Sequence, residues 1–132
     1  MLRILVVDDD HERHDAFREF LKGHDVVHTA DVATAIHSLS TLPPFDVAFL
    51  YHDLNDFAYD NYGNGTEYTG KDVARFIIDG LAIEKRPKQI VVHSWNHGGA
   101  KEMLHTLRQG GHRRLVRWEF DPKFVGMSLP TP

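Results

Sequence analysis

Three stretches of the chain are almost continuously apolar: RILVV at 3–7, FDVAFLY at 45–51 and QIVVH at 89–93. Short runs without polar alternation are the pattern of strands covered on both faces. DVVHT at 25–29 and RLVRWEF at 114–120 read as two further strands. The intervening segments carry apolar residues at helical spacing. Over 11–22 these are Ala16, Phe17, Phe20 and Leu21, with Gly23 as the C-cap; over 32–39 they are Val32, Ala35, Ile36 and Leu39, led by Asp31 as N-cap. Val73, Ala74, Ile77, Ile78 and Leu81 mark a third helix over 71–83, and Met103, Leu104 and Leu107 a fourth over 99–109. Regular alternation of strand and helix predicts right-handed crossovers and a three-layer α/β sandwich, with a five-stranded parallel sheet between helices.

Two segments depart from this rhythm. DPKFVGMSLPTP, at the end of the chain, has two prolines near its end and too few residues for a fifth helix, so 119–132 is expected to form an irregular tail. One flank of the sheet then needs other cover: either the tail residues Phe124, Val125, Met127 and Leu129, or a second copy of the chain in a homodimer. NDFAYDNYGNGTEYTG, 55–70, reads as a long polar and aromatic loop. Its aromatics Phe57, Tyr59, Tyr62 and Tyr68, together with Trp95, either stack on a nucleobase or pack the loop down on the body. If the loop is a lid, Gly63, Gly65 and Gly70 are its hinges.

Composition narrows the function classes. With 132 residues, 42% hydrophobic and 26% charged, the chain fits a single domain over 1–132. No window approaches a membrane span and the apolar opening is too short for a signal peptide, so a cytoplasmic location is expected. The absence of cysteine leaves only oxygen and imidazole as metal ligands. A net charge of −4 argues against duplex DNA as a partner, so a phosphate-bearing substrate would need local positive potential.

The candidate chemistry gathers where the strands end, the edge at which open α/β sheets bind ligands. Asp8, Asp9 and Asp10 follow the first strand, His52 and Asp53 the third, and His93, Ser94 and Asn96 the fourth. Two imidazoles on adjacent strand ends suit the acid and base of a phosphodiester hydrolysis, since imidazole titrates near neutral pH. Ser94 and Asn96 are donors for phosphoryl oxygens, and the amides of Gly98 and Gly99 at a helix start form an anion site. Asp53 is adjacent to His52 in the chain and orients it only if the loop turns; otherwise it joins Asp8 and Asp9 as oxygen ligands suited to Mg²⁺ or another divalent cation. His11 and His14 are expected on a solvated helix face, Trp118 in the packing, and the Arg113-Arg114 pair at a solvated strand edge. His24, His28, His37, His105 and His112 have no visible partners in the sequence.

ILVVDDD, followed by a helix, with a strand ending near residue 51 and another ending at a hydroxyl residue, Ser94, resembles the receiver domain of two-component signalling over roughly 2–120. The resemblance implies a flavodoxin- or CheY-like fold, Mg²⁺ at the acidic group after the first strand, and a phosphoacceptor aspartate at the end of the third. Here that position is Tyr51, and WEFDP stands where receivers carry a lysine-proline pair, so ordinary phosphorelay is not expected. HDL at 52–54 and HSWN at 93–96 look more specifically like the receiver-like family that processes cyclic phosphates, which implies functional roles for His52, Asp53, His93, Ser94 and Asn96. A phosphoesterase acting on a cyclic nucleotide or a cyclic RNA end is the expectation. The alternative is a non-catalytic receiver-like module that docks a partner protein.

Overall fold

In the computed structural model, which describes residues 1–121 and 129, the sheet has five parallel strands in the order β2-β1-β3-β6-β7. They are β1 (Arg3–Val7), β2 (Asp25–Thr29), β3 (Val47–Leu50), β6 (Gln89–Val92) and β7 (Leu115–Arg117). The helices are α1 (His11–Phe20), α2 (Val32–Thr41), α3 (Gly70–Asp79) and α4 (His97–Gln109). Side-chain alternation along the strands divides the core in two. Leu5, Val7, Ala48, Leu50, Ile90 and Val92 pack with α2, α3 and α4, while Ile4, Val6, Val47, Phe49 and Val91 pack with Phe17 and Leu21 from the α1 side.

The cap chemistry holds locally. The Asp31 side chain accepts from Thr34 N, and Thr69 and Asp72 form a reciprocal capping box at the start of α3. Gly23 takes φ +87°, the left-handed turn expected of it, although α1 itself ends three residues earlier. The third helix is shorter than the periodicity implied: Gly80 ends it, and 83–85 form a separate single turn.

The connection from β1 to β2 carries α1 on one face, and that from β2 to β3 crosses back with α2 on the other, so the switch point falls between the ends of β1 and β3. Val7, Leu50 and Val92 are level in the register, which sets Asp8, Tyr51 and His93 side by side just beyond them.

The segment 55–70 is not a loop. It forms an antiparallel hairpin, β4 (Asp56–Tyr59) with β5 (Gly65–Tyr68), turned through Gly63 at φ +81°. Alternating aromatic and small residues around a glycine-bearing turn are hairpin chemistry, and reading the stretch by its polarity missed it. Its aromatics do not pack down on the body: Tyr59 is 70% and Tyr62 90% exposed. Gly70 is no hinge, since a Cβ there would lie 2.1 Å from the Tyr51 carbonyl oxygen, and its own amide donates to the His52 carbonyl at 2.9 Å. The hairpin is thus pinched at its base.

On the α1 flank, Trp118, Phe120 and Leu129 cover the exposed side of the second cluster. Leu129 therefore supports the tail as cover there; Phe124, Val125 and Met127 lie outside the described residues. Among the described residues, no helix is long and apolar enough to cross a membrane.

Candidate functional site

Asp8 is fully buried, and both its oxygens are engaged. Oδ1 accepts from Arg13 Nη2 at 2.8 Å and Asp10 N at 2.9 Å; Oδ2 accepts from Arg13 Nε and from His93 Nε2, each at 2.8 Å. Burial alone would raise this carboxyl, but the bonds from His93 and Arg13 outweigh it and bring it down to about 2. Arg13 also lies over the Tyr51 ring, its Cζ 3.9 Å from the centroid. Asp9 turns outward, accepting from Asn55 Nδ2 at 2.7 Å, with Asn55 held at φ +50°. Asp10 caps α1.

His93 is the clearest departure from expectation. It is 0% exposed, enclosed by Phe17, Phe49, Tyr51, Trp118 and Phe120. Burial pushes its imidazole down despite Asp8's opposing pull, so the neutral ring donates Nε2–H to the carboxylate. A side chain walled in this way has no open path to a substrate, and its ring is bonded to Asp8 instead. The alternation explains why: His93 continues the side of β6 marked by Val91, which faces α1. Ser94 is likewise buried, its Oγ accepting from Asn96 N at 3.1 Å, which shapes the turn rather than facing a ligand.

The accessible chemistry is a second group on the α4 side. His52 Nδ1 is 2.9 Å from Asp53 Oδ1, so the loop does turn and the neighbouring carboxylate orients the ring. Asn96 Nδ2 reaches both Asp53 oxygens at 3.4 Å, while its Oδ1 caps α4 by accepting from Gly99 N at 2.9 Å. With Nδ1–H donated to Asp53, His52 presents Nε2 as an acceptor. The ring lies flat on the helix start: a Cβ at Gly99 would stand 2.4 Å from His52 Cγ. Of the two amides expected to bind phosphate, that of Gly99 is committed to Asn96, which leaves the exposed Gly98. A groove of about 510 Å³ beside it is lined by Gly98, Lys71, Lys101, Glu102, His105 and Thr106.

The three carboxylates expected to hold a cation do not converge. Among the described residues no group of three or more His, Asp or Glu side chains is arranged for a metal ion. Asp8 is saturated, Asp9 holds Asn55, and Asp53 holds His52. These residues do not fit a divalent cation.

Sequence reasoning missed Arg13 and the pair His14–His28. His14 is buried rather than solvated, its Nδ1 2.7 Å from His28 Nδ1. His112 is also buried and bonds the Pro87 carbonyl at 2.7 Å. The one available signal for Arg13 was a basic residue inside DDDHERHD, three positions after a helix cap.

The parallel 2-1-3-6-7 sheet with its acidic edge is that of a response-regulator receiver. A response regulator from Burkholderia pseudomallei with a phosphorylated aspartic acid, calcium ion and citrate matches at TM-score 0.66 and 15% identity, over 99% of this chain and 68% of that one. A CheY-like receiver domain from Methanospirillum hungatei JF-1 matches at 0.65 and 16%, over 95% and 87%, and the Mn²⁺-bound response regulator Rcp1 at 0.65 and 17%, over 96% and 88%. No curated protein matches. Residues 3–109 match the model of the cyclic-phosphate processing receiver domain, and the chain belongs to that family.

Proposed function

We propose that the protein hydrolyses a cyclic phosphodiester, with His52 as the general base. The observation that carries this reading is the accessible His52–Asp53–Asn96 group set against the start of α4. Asp53 fixes the tautomer, so His52 Nε2 can take the proton of an attacking water. Water bonds to phosphorus, the bond from phosphorus to one sugar oxygen breaks, and that oxygen leaves with a proton returned from the imidazolium or from solvent. The Gly98 amide and the lysines Lys71 and Lys101 of the adjoining groove offset negative charge on the phosphoryl oxygens. A 2′,3′-cyclic RNA end or a cyclic nucleotide supplies the required bond. No divalent cation enters the scheme.

The test is incubation with a panel of cyclic mono- and dinucleotides and cyclic RNA ends, with products read by ³¹P NMR. His52→Ala is expected to lose about 10²–10⁴-fold in turnover, the usual contribution of a positioned base. His93→Gln, behind the wall of aromatics, is expected to change stability far more than turnover in the folded fraction. Full turnover by His52→Ala would overturn the assignment.

One observation favours a second reading. The receiver acceptor position is Tyr51, buried beneath Arg13, which suits a module that docks a partner protein without phosphorylation. No product from any member of the panel favours that module.

A further inference from the structure

We infer that Arg13 is a built-in substitute for the divalent cation, and that the acidic pocket neither needs nor admits a metal ion. A carboxylate offers about four lone-pair positions, and all those of Asp8 are taken: two by Arg13, one by the Asp10 amide and one by His93. None remains for coordination. The guanidinium bears a permanent positive charge and reaches the other acids as well, with Nη2 3.7 Å from Asp9 and Nη1 3.8 Å from Asp10. A dication at that spot would displace it or meet a like charge within contact distance.

Tyr51 completes the arrangement. An aspartate there would add a ligand for a cation; the tyrosine ring instead offers a π face to the guanidinium at 3.9 Å. Planar Arg13 thus lies across an acidic group and an aromatic ring, satisfying both through geometry a spherical ion lacks. Asn55 donates to the other Asp9 oxygen, Oδ2, at 2.7 Å. The inference concerns the α1-side pocket only and stands whether or not His52 catalyses hydrolysis.

Titration with Mn²⁺ followed by electron paramagnetic resonance tests it. The unaltered protein is expected to bind no Mn²⁺ at this pocket up to millimolar concentration, and its melting temperature to be the same in Mg²⁺ and in EDTA. Arg13→Gln frees the Asp8 and Asp9 oxygens and is expected to gain one Mn²⁺, at least tenfold tighter than the parent, lost again when Asp8→Asn is added. Mn²⁺ binding by the unaltered protein that Asp8→Asn abolishes would overturn the inference. So would a folded Arg13→Gln that gains no ion. Arg13→Met, which keeps the stem over Tyr51, replaces it should Arg13→Gln not fold.

Discussion

The contact between His52 and Gly99 yields a prediction with a definite sign. Carbon atoms pack at about 3.5–4.0 Å, whereas an alanine Cβ at 99 would sit 2.4 Å from His52 Cγ, 2.5 Å from Cδ2 and 2.7 Å from Nδ1. The ring must retreat by about 1 Å, which strains it against Asp53 or pushes α4 outward; overpacking of this kind costs about 1–3 kcal/mol. Against that stands the helix preference of alanine over glycine, worth at most about 1 kcal/mol. Gly99→Ala alone should therefore destabilise the protein or leave it level. In a His52→Ala background the obstacle is gone and the preference remains, so the same substitution should stabilise. Urea unfolding of the four proteins in the cycle, followed by circular dichroism, reads the coupling directly, and a value of about 1–3 kcal/mol is expected from the strain alone. Coupling below the usual additivity error of about 0.5 kcal/mol would mean that the ring does not rest on the helix start. A 1 Å displacement of a reacting group is also enough to cost about 10²-fold in rate, so Gly99→Ala should lose turnover while Asp53 and Asn96 stay in place.

Two further outcomes follow from buried charge. Asp8→Ala strands Arg13 and His93 without their common acceptor and is expected to cost about 3–5 kcal/mol, as breaking a buried pair from one side does; a loss under 1 kcal/mol by urea unfolding would contradict the saturated arrangement. His28 is pushed down to about 4 by burial, with His14 and Arg18 adding repulsion. The unfolded chain therefore takes up this proton first, and the stability present above pH 6.5 falls as pH drops toward 4. His28→Gln should flatten that decline between pH 7 and 4.5. Asp8, brought down to about 2, loses its contribution only below its ordinary 3.8, so the two windows separate. An identical slope with and without His28 would refute the assignment.

The sequence by itself determined the layers of this protein. The continuously apolar runs at 3–7, 45–51 and 89–93 read as buried strands and are the three central ones, and the cap at Asp31 marks a helix start through a bond that spans three residues. That polar groups gather at one sheet edge follows from parallel strands ending together. Which of those groups face solvent did not follow, because it depends on alternation beyond each strand end and on what lies opposite. His93 continues the Val91 side into Phe17, Phe49 and Phe120, while His52 meets α4 on the other side of the sheet; the two imidazoles part company there. Arg13 gained its meaning only when Asp8, His93 and Tyr51 converged from three strands, a bond pattern spanning 85 positions between Asp8 and His93. Local periodicity carries no information about such contacts, since they exist only once the crossovers have brought the strand ends into register.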